Sequence, residues 1–193
     1  MDGAHPLSTS IVFRSLDVNK DPFRPQEKNE ELLGPEVPYL STIGALMYLA
    51  NRTRPSITFS VNVLARYSSA PTRRHWNGIK HILWYLKGTT DMSLFYGNNC
   101  NPDLVGYADA GYLFDPYKAR SQTGYVFTCG GTAISWRSTK QSIVATSSNH
   151  AEIIAIHEAS RECVWLGSII HLIRDKYGLK CDKLPPILYE DNA

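Results

Sequence analysis

Apolar residues downstream of Pro38 fall at spacings of three and four. Leu40, Ile43, Met47 and Ala50 predict one face of an amphipathic helix. A second helix is predicted over Pro71–Lys87, with Pro71 suited to its first turn, Trp76, Ile79, Leu83 and Leu86 along one face, and Gly88 just past its end. Between the two, Ile57, Phe59, Val61 and Val63 alternate as in a strand, whereas Ile57, Val61 and Leu64 fit a helix; the pattern leaves both open. Residues 1–36 hold no sustained period and carry proline at 6, 22, 25 and 35, so they read as an extended connector.

Beyond Gly88 the period changes. Leu104–Ala108 is a short apolar run, and Tyr125–Cys129 and Thr132–Trp136 flank Gly130-Gly131, a strong hairpin signal because both glycines can take positive φ. From Asn149 to about Tyr177 the helical period returns at Ala155, Ala159, Cys163, Leu166, Ile170 and Ile173, a stretch long enough to be two helices broken near Gly167. Ile187–Glu190 reads as one more strand. Strand, hairpin, helix, strand gives an α/β (α+β) mixed sheet with helices against it, preceded by a small helical unit. The implied segments are a connector over 1–36, a helical segment over 37–98 and a sheet domain over 99–193.

Composition narrows the class. A chain of 193 residues, 43% hydrophobic and 20% charged, can bury a core. The uncharged stretch Val37–Asn51 falls short of the roughly 20 residues a bilayer requires, and Met1-Asp2-Gly3 opens no apolar signal segment. The expectation is a soluble intracellular protein, cytoplasmic or nuclear, with no membrane partner. Four cysteines, at 100, 129, 163 and 181, match neither a metal-binding pair nor a disulfide scaffold. The net charge of +2 is uneven: residues 51–100 hold seven basic groups and one acidic. Arg73, Arg74 and Lys80 within that segment are candidate contacts to a phosphate backbone, and a solvated helix face is the plainer alternative.

Three carboxylates stand where such a sheet could gather them: Asp109 at the end of the first strand, Glu152 in the first turn of the long helix, and Asp191 after the last strand. If the first and last strands are parallel neighbours, about 4.8 Å apart, Asp109 and Asp191 end side by side. Clustered carboxylates repel one another unless cations lie among them, and hard oxygen donors suit Mg²⁺ or Mn²⁺; two such ions can activate a water and stabilise a leaving phosphodiester oxygen. The alternatives are ordinary ones, in which Glu152 and Asn149 form a capping pair and the aspartates begin turns. His150-Ala151-Glu152 matches half of a zinc deaminase signature, but the Pro-Cys-x-x-Cys half is missing. Ser147 and Ser148 sit in no nucleophile elbow.

Several blocks in order carry a family resemblance. Tyr39–Ala50, Thr53-Arg54-Pro55, Val61–Arg66 and His75-Trp76 through Tyr85–Thr89 resemble the stretch linking reverse transcriptase to ribonuclease H in copia-type LTR-retrotransposon polyproteins. Gly106–Ala110, Arg120–Tyr125, Ile134-Ser135-Trp136, Ser147–Glu152 and Asp191-Asn192 resemble the ribonuclease H domain itself. The resemblance implies a ribonuclease-H-like fold, a helix over 57–69, and Asp109, Glu152 and Asp191 as catalytic, metal-binding carboxylates for two Mg²⁺ or Mn²⁺ ions. It implies an RNA–DNA hybrid as substrate and an upstream reverse transcriptase domain as partner. Ser121, Gln122 and Thr123 then become candidate contacts to a 2′-hydroxyl or to phosphates.

The departures from the family pattern are specific. There is no adjacent Asp pair, so the polymerase site is absent, and Ser56 and Asn149-His150 differ from the commoner motif forms. The sequence stops two residues after Asp191, before a further carboxylate, helix and strand that the family would supply. The expectation is little or no cleavage by residues 1–193 alone, with a non-catalytic remnant or nucleic-acid-binding connection fragment as the alternative.

Overall fold

A computed structural model describes residues 7–12, 17, 20–97, 103–178 and 185–190. The chain forms two compact units, Met1–Ser93 and Leu94–Ala193.

The first unit is built on helices α1 (Tyr39–Arg52), α2 (Thr58–Ala65) and α3 (Arg73–Gly88), with a single 3₁₀ turn at Pro55–Ile57 leading into α2. Segment 57–69 is therefore helical where it is regular, and the strand-like alternation is misleading for a physical reason. Thr58, Ser60, Val61, Val63 and Leu64 are all buried, so α2 is covered on most of its circumference and its apolar period carries little information. In α1 the buried stripe is Tyr39, Ile43, Leu46 and Ala50, while Leu40, at 65% exposure, and Met47 face outward. Tyr39 can lie inside because its hydroxyl donates to the Leu64 carbonyl at 2.8 Å. The centre of the α3 inner face is likewise shifted, to His75, Gly78, Ile79, Ile82 and Tyr85; Trp76, Leu83 and Leu86 flank it.

Residues 20–36 have no regular element, but they are not a free connector. Phe23 is buried in the helical core, the Leu33 N–H donates to the Pro71 carbonyl at 2.9 Å, and Leu32 bridges to Thr72. Gly78 makes the seat for Phe23: a Cβ there would stand 2.6 Å from Phe23 Cε1 and 2.9 Å from Leu64 Cδ2.

The second unit is a four-stranded mixed sheet, ordered β3-β2-β1-β4, with β1 at Leu104–Asp115, β2 at Arg120–Cys129, β3 at Thr132–Lys140 and β4 at Ile187–Tyr189. The hairpin β2–β3 turns on Gly130 and Gly131 at φ of 61° and 79°, the conformation the glycine pair predicts. Helix α4 (Ser148–Tyr177) crosses over between β3 and β4 as one unbroken helix and ends on Gly178 in the left-handed region. Gly167 does not break it. Pro186, just before β4, lies so close that a Cβ at Gly167 would stand 3.2 Å from its Cγ.

One face of the sheet packs against α4 through two clusters. Leu104, Ala108 and Phe127 meet Ala159 and Leu166; Ala110 and Ala145 meet Ala151 and Ala155. Cys163 packs at the edge of the first cluster, and burial pushes its thiol above the ordinary range. Cys100 and Cys181 lie outside the described residues. Among the described residues, no helix is long and apolar enough to cross a membrane.

Candidate active site

The crossover through α4 makes β1 and β4 parallel neighbours, with Val105 opposite Ile187, Gly106 opposite Leu188 and Tyr107 opposite Tyr189. Asp109 follows Tyr107 by two residues, on the exposed side of β1 and opposite Gly124 of β2. Asp191 follows Tyr189 by two residues in the sequence and lies outside the described residues.

Glu152 sits just beyond the first turn of α4, not within it, and its capping alternative fails. The N-cap is Ser147, whose Oγ accepts from the His150 N–H at 3.1 Å, and His150 Nδ1 in turn accepts from the Thr146 N–H at 3.3 Å. With the cap supplied by Ser147 and His150, Glu152 is buried, at 7% exposure, between Ala151 and Ala155 where these pack toward Ala110 of β1. The helix start and the strand that carries Asp109 thus meet through alanines, which permit close approach.

A residue that no sequence pattern singles out fixes this junction. Gln141 is fully buried just after β3; its Nε2 donates to Thr123 Oγ1 at 3.1 Å and to the Ala151 carbonyl at 2.9 Å, and its backbone N–H donates to the Ser121 carbonyl. Thr123 is the register partner of Ala110, next to Asp109, while Ala151 is next to Glu152. One amide side chain therefore ties the carriers of both carboxylates together.

The expected nucleic-acid contacts on β2 point elsewhere. Ser121 is buried and its Oγ accepts from the Leu113 N–H, Gln122 is buried and donates to Ser138 Oγ at 3.0 Å, and Thr123 is held by Gln141. Their polar groups are hydrogen-bonded within the chain. Of the basic residues, Arg74 makes a two-pronged pair with Glu30, Nε to Oε1 at 2.8 Å and Nη2 to Oε2, so its charge is met inside the chain. That pairing holds the Glu30 carboxyl down at about 2. Arg73 is exposed and Lys80 half-buried on the same helix, and neither makes an ion pair among the described residues.

Asp109 and Glu152 offer hard oxygen donors only, a set that fits Mg²⁺ or Mn²⁺ better than a softer ion. Among the described residues, no three histidine, cysteine, aspartate or glutamate side chains gather into a metal-binding group; the third carboxylate of the expected set, Asp191, lies outside them.

Neither a family model nor a solved structure matches the chain. Sequence relatives are decisive. The chain is 38% identical over 197 residues to the retrovirus-related Pol polyprotein from transposon TNT 1-94 of Nicotiana tabacum, a match covering all of this chain and 14% of that protein. It is 36% identical over 155 residues, 80% of its length, to the Pol polyprotein from transposon RE2 of Arabidopsis thaliana, of which it covers 10%. The chain belongs to the Pol polyproteins of copia-type retrotransposons. It corresponds to a small part of the Pol proteins it matches. The same Pol segment is 44% identical over 130 residues to secreted RxLR effector protein 161 of Plasmopara viticola, and that match takes in 92% of the effector.

Proposed function

We propose that the second unit of this Pol segment is the ribonuclease H part of the polyprotein, hydrolysing the RNA strand of an RNA–DNA hybrid. The observation that carries the reading is the parallel register of β1 and β4, in which Tyr107 faces Tyr189 and each is followed two residues later by an aspartate. Glu152, buried at the head of the connecting helix, is the third carboxylate. Asp109, Glu152 and Asp191 would hold Mg²⁺ or Mn²⁺, which when bound supply an activated water and charge stabilisation for the leaving oxygen. The chain's own part is to hold these carboxylates in fixed relation, and Gln141 does so for the elements that carry Asp109 and Glu152.

The test is cleavage of a labelled hybrid by residues 1–193 and by a longer Pol segment continuing past Ala193, with Mg²⁺ or Mn²⁺ and with chelator, beside Asp109→Asn and Glu152→Gln in the longer segment. Metal-dependent cleavage of the RNA strand by the longer segment, lost in both variants, is expected, with little or no cleavage by residues 1–193 alone. Chelator-resistant cleavage, or cleavage that both variants retain, contradicts the reading. A second reading, a non-catalytic retroelement remnant or a nucleic-acid-binding connection fragment, is prompted by the effector match, in which 130 residues take in 92% of that protein. Hybrid bound but left uncut by the folded longer segment in the presence of metal would select it.

A further inference from the structure

Helix α3 of the first unit turns a second stripe away from its core. Arg73, Asn77, Lys80 and Trp84 recur at spacings of four, three and four, opposite the buried His75, Ile79, Ile82 and Tyr85. Along this stripe runs a groove of about 530 Å³ whose walls include Pro22, Phe23, Asn77, Lys80, His81 and Trp84. Its volume lies within the roughly 300–1,000 Å³ of small-ligand sites. Its floor is fixed, because Gly78 and Phe23 are in such close contact that no side chain fits between them. One edge is tethered where His81 Nε2 lies 3.0 Å from the Thr9 carbonyl.

The charge of the groove is one-sided. No carboxylate lines it among the described residues. Arg74 at its edge is neutralised by Glu30, which leaves Lys80 beside the half-buried indole of Trp84, and Arg73 two turns back along the helix. A flat aromatic wall next to cations that make no ion pair among the described residues, in a segment with seven basic groups against one acidic, complements a ligand that is planar and apolar at one end and anionic at the other. A nucleotide has that form. Within a duplex the base faces are stacked on each other, so away from duplex ends Trp84 can meet only an unpaired base.

We propose that this groove binds single-stranded nucleic acid, one base stacked on Trp84 and the adjoining phosphates met by Lys80 and Arg73. The inference rests on residues of the first unit and makes no use of the carboxylates or of metal, so it can fail or stand independently of the ribonuclease H reading.

The experiment measures binding of the whole chain to a fluorescent oligothymidylate of about ten nucleotides and to a blunt RNA–DNA hybrid, in chelator so that nothing is cleaved. Trp84→Ala is expected to weaken oligothymidylate binding roughly tenfold and blunt-hybrid binding little, while Trp84→Phe, which keeps an aromatic face, restores most of the affinity. Lys80→Gln is expected to lower the salt slope on the single strand by about 0.7. Thermal melting followed by circular dichroism verifies that each variant is folded. Unchanged single-strand affinity in folded Trp84→Ala, equal losses on single strand and blunt hybrid, or failure of Trp84→Phe to restore binding each overturns the proposal. A groove that instead takes an aromatic or proline-rich peptide gives the first of these results.

Discussion

Tyr107 and Tyr189 stack across the parallel β1–β4 pair, with ring centroids 5.5 Å apart and planes 23° from parallel. Both are about half exposed, so the contact is a lateral pairing and not core packing. It joins the shortest strand of the sheet to the strand that carries Asp109. Stacked aromatic pairs add about 0.5–1.5 kcal/mol beyond area burial. A double-mutant cycle with Tyr107→Ala and Tyr189→Ala, read by urea unfolding, should return a coupling energy in that range. Additive losses would mean that the rings do not hold β4 in register.

Gln141 should be much more sensitive than its polarity suggests. Gln141→Met keeps the side-chain volume but removes the donor shared by Thr123 Oγ1 and the Ala151 carbonyl, which keeps its place in the α4 ladder. A buried group that loses its partner costs about 1–3 kcal/mol, and a loss in that range is expected on chemical denaturation. A loss under about 0.5 kcal/mol would show that the α4 start does not depend on this amide.

Gly106 is the tightest point of the sheet. A Cβ at this position would stand 2.3 Å from Phe127 Cε1 and 2.9 Å from Leu188 Cδ1. Phe127 is the register partner of Gly106 and fully buried, so it has no free direction in which to move. Gly106→Ala should therefore destabilise by about 1–3 kcal/mol, and adding Phe127→Leu should recover part of that loss. Stability equal to that of the parent would contradict this packing.

Two groups in the first unit shape the acid limb of its stability profile over different pH ranges. His75 is fully buried, accepts from the Thr72 N–H at Nδ1 and lies 3.1 Å from the Arg24 carbonyl at Nε2; burial holds its pKa below the ordinary 6.5. The unfolded chain takes up that proton more readily, so this contribution to stability is complete above pH 6.5 and declines as the pH falls below it. Glu30 is held at about 2 against an ordinary 4.5, chiefly by its hydrogen bonds from Arg74. Its contribution is complete above pH 4.5 and is lost as the pH falls through about 2. The His75 ring should titrate below the ordinary 6.5 by NMR, and Glu30→Gln should flatten the decline in stability below pH 4.5. A ring half-protonated at 6.5, or an unchanged acid limb in Glu30→Gln, would contradict these assignments.

Where local chemistry dictates conformation, the sequence is legible. Gly130-Gly131 turns the hairpin because two consecutive positive φ angles are needed there, and the crossover order of strand, helix and strand makes β1 and β4 parallel. Where burial depends on a partner, it is not. The α1 stripe keeps Ile43 and Ala50 but takes Tyr39 and Leu46 in place of Leu40 and Met47, and Tyr39 can be buried because the Leu64 carbonyl satisfies its hydroxyl. α2 is covered on most sides, which erases its period. Gln141 and Phe23 are buried through contacts with residues distant in sequence, and Gly167 is explained only by Pro186. At the candidate site, the carboxylates can be picked out by their spacing, but Asp109 lies in the middle of β1, which runs on to Asp115, and not at its end, and Glu152 lies beyond the first turn of α4. That Ser147 and His150 supply the cap, and that Ser121, Gln122 and Thr123 turn inward, is visible only in three dimensions.

The central claim is that Asp109, Glu152 and Asp191 share one cation site, and paramagnetic Mn²⁺ tests it directly. Substoichiometric Mn²⁺ added to the ¹⁵N-labelled chain should broaden the amide signals around residues 109, 152 and 191 together, and Asp109→Asn should abolish the broadening at all three. Broadening confined to one of these segments, or unchanged at Glu152 and Asp191 in Asp109→Asn, would contradict a shared site.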